Sequence, residues 1–344
     1  MLRRILILAT LILVGTIAYL NHASKGQIGP LLLSGSTMGT TYHLKVIVPP
    51  ESQLKAEEIS KQVSASLDKI DRLMSTYKED SEVSRFNALP TNQWLAISEP
   101  TYHVINAALR YSAMSDGAFD ITVGKLVNLW GFGPTINVNA IPDAKNIDQL
   151  RRKIGYTKLQ IHSEPMEILK ESDAIYIDLS AIAKGYAVDA VASVLEQNAL
   201  QNYMIEIGGE IRTSGHKQTG QPWWIGIESP VTDQRSVQKV LHLQQSAMAT
   251  SGDYRNYFEH NGQRFSHTID PRTGYPITHT LASVTVLAET CMDADALATL
   301  LTVLGPESGM KFAEQHNLAV FMIIKTSDGF KEKSSSAFTP FLKQ

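Results

Sequence analysis

A short stretch near the middle of the chain, residues 174–189, carries several groups that could bind a charged ligand. An apolar run over residues 174–177 predicts a strand that places Asp178 at the start of a helix. Asp178 and Ser180 are residue types that cap helix N-termini, while free amides at such an end, with Lys184 beside them, attract phosphate. The stretch therefore indicates a phosphorylated ligand. An ordinary strand-to-helix corner is the commoner use of this pattern and remains the alternative.

A second candidate site lies on the helix that the sequence predicts around residues 293–304. Leu297, Leu300 and Leu301 form an apolar stripe, and Asp295 and Thr299, one helical turn apart, share the opposite face. Carboxylate and hydroxyl oxygens suit Mg²⁺, which takes few carboxylates and keeps positions for phosphate and water. The pair indicates a magnesium site, and a solvated polar face is the alternative.

His267 is the histidine best placed for acid–base chemistry. It stands between Ser266 and Thr268 and three residues before Asp270, within a dense polar segment. Most isolated histidines are structural, but a cluster of this kind favours a role in proton transfer.

The elements that must position these groups follow from hydrophobic periodicity. Amphipathic helices are predicted over residues 56–74 and 100–114. Alternation predicts a strand over 42–48, preceded by a Gly/Ser/Thr-rich loop in which Met38 is an adaptable apolar contact. Tyr77 stands in a polar, turn-rich segment and either stacks on a ring system or roofs the core.

Two further segments suit the close approach of a ligand. Ala118, Phe119 and Asp120 precede an aromatic and glycine-rich segment, which fits an aromatic ligand or a packed corner. Gly208 and Gly209 interrupt a predicted strand over 203–212, so we expect a bulge or a close approach to the backbone there.

Composition limits the classes of function. The chain has 344 residues, 19% charged residues and a net charge of −3, with basic residues scattered, which excludes an electrostatic footprint for nucleic acid. The only cysteine, Cys291, falls at a predicted core position and is interpreted as a small buried hydrophobe.

The N-terminus has the features of an export signal. Arg3 and Arg4 precede an uncharged, mostly apolar run over residues 5–20. No clear small-residue cleavage site follows, so residues 1–22 are predicted to be either a signal peptide or a signal-anchor, and residues 23–33 a linker. We therefore expect the remaining chain, residues 34–344, to be exported, and to stay attached to the membrane if the signal is not cleaved.

The motifs occur in one order along the chain, and the set resembles the ApbE family of FAD:protein FMN transferases. The segments that carry the resemblance are Gly35-Ser-Thr-Met-Gly-Thr40, Met74-Ser-Thr-Tyr77, Ser81-Glu-Val-Ser-Arg-Phe-Asn87, Gly117-Ala-Phe-Asp120, Asp178-Leu-Ser-Ala-Ile-Ala-Lys-Gly-Tyr186, Gly208-Gly-Glu210, Ser251-Gly-Asp-Tyr254, His267-Thr-Ile-Asp-Pro-Arg-Thr-Gly274 and Asp293-Ala-Asp-Ala-Leu-Ala-Thr299. One such motif is weak, whereas the ordered set is specific.

The resemblance implies a Mg²⁺-dependent enzyme that moves FMN from FAD to a Thr or Ser hydroxyl of a flavoprotein, typically a subunit of a membrane redox complex, and releases AMP. It also implies a location on the periplasmic side of the inner membrane, or in the soluble periplasm if the signal is cleaved. It implies His267 as the residue of the chemistry and Asp295, Thr299 and the Ala181 carbonyl as metal ligands. The positions that it implies for FAD contacts are Met38, Tyr77, Ala118, Phe119, Asp120, Asp178, Lys184 and Ile269.

We therefore expect a single α+β domain with a mixed sheet, flanking helices and two lobes around a cleft.

Two other functions use the same residues. A metal-dependent FAD pyrophosphatase would pass FMN to water, and a flavin-binding protein would keep the pocket without chemistry. The family's usual lipoprotein cysteine is missing from the N-terminal segment, which favours a signal-anchor over lipidation.

Overall fold

The computed structural model describes residues 29–50, 52–134, 141–230, 236–252, 257–260 and 262–342. The signal-like segment, and Asp253 and Tyr254 of the Ser251–Tyr254 motif, lie outside these residues. Within the described part of the chain, no helix is both long and apolar enough to cross a membrane.

An eight-stranded sheet in the order β1-β2-β6-β7-β10-β15-β16-β17 forms the centre of the molecule. Every neighbouring pair in it is antiparallel, and parallel pairing among the described residues is limited to one isolated bridge between Val123 and Tyr176. The strands are β1 (Leu31–Thr37), β2 (Thr40–Ile47), β3 (Leu95–Ala96), β4 (Leu159–Ser163), β5 (Met166–Lys170), β6 (Asn202–Ile207), β7 (Glu210–Ser214), β8 (Trp223–Glu228), β9 (Val237–Leu243), β10 (Ser246–Gly252), β11 (Tyr257–His260), β12 (Gln263–Ser266), β13 (Ile269–Asp270), β14 (Tyr275–Pro276), β15 (Leu281–Ala288), β16 (Ala319–Thr326) and β17 (Gly329–Ser334).

The helices confirm the expected α+β class. The first matches the predicted range of residues 56–74, and the third begins one residue before its predicted start. They are α1 (Ala56–Met74), α2 (Glu82–Ala88), α3 (Glu99–Met114), α4 (Gly124–Leu129), α5 (Ala144–Lys153), α6 (Ala183–Gln197), α7 (Cys291–Gln315) and α8 (Thr339–Leu342), with short 3₁₀ turns at Tyr156–Lys158 and Ser336–Phe338.

Alternating side chains of the large sheet enter two separate cores, as the period of two in a strand requires. On β16, Val320 and Met322 pack with the core that includes α1, α6 and α7. Phe321 and Ile323 point to the other face and pack against the β8–β9 hairpin. The long helices α1, α6 and α7 therefore cover one face of the sheet, and the hairpin together with the C-terminal Phe338 and Phe341 covers the other.

One predicted loop and one predicted continuous strand were wrong, because glycine-containing turns close hairpins at both places. The Gly/Ser/Thr-rich segment before β2 is itself a strand, β1, and Met38 and Gly39 form the turn with positive φ values of 46° and 72°. Gly208 and Gly209, with φ values of 61° and 104°, join β6 to β7 as a two-residue turn, not as a bulge within one strand.

The predicted strand over residues 174–177 was also wrong. Only Tyr176 pairs, through its bridge to Val123, and the flanking residues belong to an extended segment. This segment is nevertheless anchored, since the Asn87 side chain accepts from the Ile177 amide at 2.7 Å and donates to the Ile177 carbonyl at 2.9 Å. It therefore delivers Asp178 to the start of α6 without a strand.

Candidate functional site

A cavity of about 460 Å³ opens where the start of α6, the start of α7 and the β6–β7 turn meet the segment before α4 and the β12–β13 connection. It brings together all the candidate site residues from the sequence except Met38. These are Tyr77, Ala118, Phe119, Asp120, Asp178, Ala181, Lys184, His267, Ile269, Asp295 and Thr299.

Met38 lies against a neighbouring cavity of about 630 Å³. The two cavities share Tyr77, Asp178 and Lys184 along their boundary. Tyr77 is 73% exposed at this boundary, so its ring does not roof the core and is available for stacking. Met38 and the larger group thus border two adjoining spaces.

The helix that follows Asp178 begins later in the chain than the sequence predicted. Helix α6 begins at Ala183, its N-cap is Ile182, and no side chain of the capping residue bonds to it. Asp178 instead accepts from the Ser180 amide at 2.9 Å in a turn before the helix. The capping prediction was therefore wrong, although Asp178, Ser180 and Lys184 all face the cavity.

Three charged groups meet in the cavity wall. The Lys184 ammonium lies 3.0 Å from Oε1 of Glu210 and 3.5 Å from Oδ1 of Asp295. Burial disfavours the charge of Lys184, but the two carboxylates outweigh this effect and raise the pKa of the ammonium above its ordinary value. A permanent cation is thus fixed at the cavity, where it can contact phosphate.

Glu210 is the most unusual of the three. Burial raises the pKa of its carboxyl to about 7, although Lys184 acts in the opposite direction. Its Oε2 atom is buried and has no hydrogen-bond partner among the described residues. A buried polar atom without a partner costs stability, so an oxygen left in this state at a cavity wall indicates that the wall is built for a ligand.

The candidate metal ligands also converge on this wall. Asp295 is 4% exposed, so the alternative of a solvated polar face is wrong for this residue. Its Oδ2 accepts from the Gly185 amide at 2.9 Å. In a regular helical turn that amide would bond to the Ala181 carbonyl, which accepts no backbone hydrogen bond among the described residues.

The chemistry of these donors fits a hard divalent cation. They are a free main-chain carbonyl at Ala181, a carboxylate at Asp295 and a hydroxyl at Thr299, all oxygen, on one wall of the cavity. The described residues hold no group of three or more His, Cys, Asp or Glu side chains suited to a metal. A cation here would therefore fill its remaining coordination positions with water or with phosphate oxygens of a ligand, as Mg²⁺ usually does.

Known proteins resemble this chain in both sequence and fold. The family model described as "ApbE family" matches residues 38–322. The chain belongs to the ApbE family.

Its relatives in the ApbE family are similar over nearly their whole length. A FAD:protein FMN transferase of Vibrio cholerae is 47% identical over 312 residues, covering 91% of this chain and 92% of that protein. One from Haemophilus influenzae is 48% identical over 310 residues, covering 89% and 90%. The structure of the flavin transferase ApbE from Vibrio cholerae has a TM-score of 0.85 and 46% identity, covering 91% of this chain and 99% of that one. The structure of the apo flavinyl transferase ApbE of Pseudomonas stutzeri has a TM-score of 0.84 and 39% sequence identity, covering 92% of this chain and 97% of that one.

Asp120, which also lines the cavity, has a role that its sequence pattern did not show. Its Oδ1 accepts from the amide and hydroxyl of Thr122 at 2.8 and 2.7 Å, and its Oδ2 accepts from the Tyr156 amide at 2.8 Å. The carboxylate is thus used within the protein. It fixes the loop that carries Ala118 and Phe119 to the cavity.

His267 lies in the connection between β12 and β13, two residues before Ile269. Its ring centroid is 6.3 Å from that of Phe132, with the planes at 72°, and both side chains line the cavity. The histidine is therefore on the cavity surface, beside an aromatic wall that also suits a flat ring.

Glu210 belongs to the Gly208-Gly-Glu210 motif, but the sequence predicted no role for its side chain. Its signal was an acid directly after two glycines, and the turn that these glycines form places the carboxylate at the cavity. Thr250 on β10 also lines the cavity, and its hydroxyl bonds to that of Thr285 at 2.8 Å.

Proposed function

We propose that this chain is a Mg²⁺-dependent FAD:protein FMN transferase, which moves FMN from FAD to a Thr or Ser hydroxyl of an acceptor flavoprotein and releases AMP. The observation that carries the proposal is the convergence of Lys184, Asp295 and Thr299 on one cavity wall. A fixed cation beside a set of oxygen donors is what a pyrophosphate substrate requires. Membership of the ApbE family, whose relatives carry that name, supports the same activity.

The Ala181 carbonyl, Asp295 and Thr299 would hold Mg²⁺. When bound, the metal would neutralise charge on the pyrophosphate of FAD. The remaining tasks fall to side chains of this chain. Lys184 binds a phosphate oxygen through its ammonium, and Tyr77 and Phe132 offer ring faces to the flavin or the adenine.

His267 is our candidate for the group that accepts the proton. The acceptor hydroxyl oxygen forms a bond to the phosphorus of the FMN phosphate, and its proton passes to a ring nitrogen of His267. The bond from that phosphorus to the bridging oxygen breaks, and AMP leaves with the bridging oxygen. Atoms and charge balance without any further reactant.

The cellular setting is part of the proposal. The basic pair Arg3 and Arg4 and the apolar run after it support export, with the catalytic domain on the periplasmic side of the inner membrane or in the periplasm. Flavoprotein subunits of membrane redox complexes would then be the acceptors, since a membrane anchor would hold the enzyme near them.

The deciding experiment incubates the full chain with FAD, Mg²⁺ and a periplasmic acceptor flavoprotein, and analyses the acceptor by mass spectrometry. We expect an FMN-sized increment on a Thr or Ser and release of AMP in equal amount. AMP and free FMN without an increment on any acceptor tested would identify a pyrophosphatase instead. FAD binding without AMP would identify a binding protein. An acceptor variant with the modified Thr replaced by Val is the matched control.

A further inference from the structure

The starts of α6 and α7 each accept a side-chain cap from the other helix, and α7 has in addition its own N-cap, Thr290, whose hydroxyl accepts from the Asp293 amide at 3.1 Å. Asp189, in the second turn of α6, accepts from the first two amides of α7. Its Oδ1 lies 3.0 Å from the Cys291 nitrogen and its Oδ2 lies 2.9 Å from the Met292 nitrogen. Two of the amides that every helix leaves unpaired at its start are thereby satisfied by a residue about one hundred positions earlier.

The reverse contact comes from α7. Asp295 accepts from the amide of Gly185, the third residue of α6, at 2.9 Å. The N-cap residue of α6 provides no side-chain bond of its own, so Asp295 is the side chain that caps this helix. Each helix thus supplies a carboxylate to the other, and one of these two carboxylates is the candidate metal ligand.

Gly185 allows the two helices to come this close. A Cβ atom at this position would lie 2.2 Å from the Cys291 carbonyl oxygen and 2.8 Å from Cβ of Asp295. Backbone cannot yield at such distances, so any side chain here would force the helices apart and lengthen the bond to Asp295. Close contact at Gly185 therefore limits how near the two helices can come, and the two caps limit how far apart they can move.

A strand of the sheet fixes the same pair from below. Arg212 on β7 donates to Oδ1 of Asp189 at 2.6 Å, which balances the buried charge of that carboxylate. Two residues earlier on the same strand, Glu210 holds Lys184 at 3.0 Å. Alternate residues of β7 therefore bind one residue in the first turn of α6 and one in the second.

We propose that Asp189 is a positioning residue of the cavity, which together with Asp295 forms a reciprocal pair of helix caps that fixes where Asp295 and Thr299 stand relative to Ala181. The proposal rests on the proposed function in that the cavity binds a divalent cation. Asp189 itself does not line the cavity and acts through the placement of α7. Its removal should therefore weaken cation binding without removing any ligand.

Asp189→Asn is the test, because asparagine keeps the size but can accept through only one of its two terminal atoms. One of the two amides of α7 loses its acceptor and faces an NH₂ group instead. We expect the affinity for Mn²⁺ alone, measured by electron paramagnetic resonance of the free ion, to fall about tenfold, as for other residues that orient metal ligands.

Tyr111→Phe is the matched control. The Tyr111 hydroxyl donates to Oδ1 of Asp293 at 2.5 Å, in the same first turn of α7 but outside the pair of caps. We expect this variant to lose stability while its Mn²⁺ affinity stays within about twofold of the unmodified protein. Equal losses of Mn²⁺ affinity in both variants, or a normal affinity in Asp189→Asn, would overturn the proposal.

Cys291 provides a second measurement that needs no variant. It is the only cysteine in the chain, it is buried, and its amide is one of those that Asp189 caps. If the caps couple the start of α7 to the cation site, Mn²⁺ must slow the reaction of Cys291 with a thiol reagent, since coupling is reciprocal. We expect a rate at least about fivefold lower with saturating Mn²⁺, and an unchanged rate contradicts the proposal even if Asp189→Asn does not fold.

The two proposals fail separately. A chain that binds Mn²⁺ with these dependences but moves no FMN would disprove the transferase function and leave the role of Asp189 intact. FMN transfer together with an Mn²⁺ affinity that does not change in Asp189→Asn would disprove the role of Asp189 and leave the transferase function intact.

Discussion

The two faces of the large sheet are packed in contrasting ways. The face covered by α6 and α7 buries Glu210 and Asp295 beside Lys184. The opposite face packs an apolar cluster between the sheet and the β8–β9 hairpin. Its buried members are Trp223, Ile225, Ile227, Leu241, Leu243, Met248, Leu287, Phe321, Ile323 and Phe338.

The contrast separates stability from chemistry. Apolar burial stabilises at about 25 cal/mol per Å² and needs no partner. Buried charges lose hydration, and a buried ion pair is often replaceable as a whole by apolar side chains without loss of stability. The charged face is therefore explained by the cavity that it borders, whereas the apolar face is explained by folding alone. Substitutions on the two faces should separate activity from stability.

The largest expected effect is on activity. Asp295→Ala removes a candidate cation ligand and the cap of α6, and we expect FMN transfer at saturating Mg²⁺ to fall at least about a thousandfold. The measurement is single-turnover transfer followed by mass spectrometry. Glu307→Ala, at an exposed site in the part of α7 that follows the non-helical break at Gly305, should stay within about twofold. Near-normal turnover in Asp295→Ala at saturating Mg²⁺ would remove the metal assignment.

On the apolar face the expected effect is on stability. Phe338 is fully buried and its ring stacks on that of Phe321 with centroids 5.5 Å apart. Phe338→Ala should lower the free energy of unfolding by about 3–5 kcal/mol, through lost burial and the cavity left behind. Urea unfolding measures this change, and Phe330→Ala, at a 42% exposed side chain, is its control. Rates of FMN transfer at urea concentrations well below the unfolding midpoint should be unchanged. A parallel loss of activity would contradict the separation of stability from activity.

The smallest effect concerns pH. The pKa of Glu210 is raised from 4.5 to about 7, so the folded chain binds this proton more tightly than the unfolded chain. This contribution to stability is complete below pH 4.5 and is lost as the pH rises through about 7. Relative to Glu210→Gln, which does not titrate, the metal-free protein should lose up to about 3 kcal/mol across this range.

Urea unfolding of both proteins at several pH values, with a chelator present, checks this prediction. Glu206→Gln is the control, since Glu206 lies on the neighbouring strand and accepts from the Gly209 amide at the surface. A constant difference between the unmodified protein and Glu210→Gln over the whole range would show that burial does not perturb the carboxyl.

The sequence was sufficient wherever a periodic pattern reported burial. The spacing of Ile59, Val63, Leu67 and Ile70 predicted α1, and the structure buries all four. The leucine stripe likewise predicted the helix that carries Asp295 and Thr299. Motif order identified the residues that meet in the cavity, although positions such as His267 and Asp295 lie on separate elements.

The errors arose where one local pattern serves two structures. Two glycines suit a bulge or a hairpin turn, and only the pairing of β6 with β7 decides between them. Asp178 and Ser180 suit a helix cap, but the same pair also forms a turn that precedes a helix. The free carbonyl of Ala181 depends on Asp295 capturing the Gly185 amide, a contact between distant segments that no local pattern contains.

The reciprocal caps also determine when the site can form. The contact between Gly185 and Asp295 spans 110 residues, and that between Asp189 and Cys291 spans 102. Closing chain segments of this length is slow compared with forming local helices. During synthesis, the residues up to 290 would emerge with Lys184, Glu210 and Ala181 but without Asp295 and Thr299. The site is therefore completed late in folding, and a chain interrupted before α7 lacks both side chains of the candidate metal site.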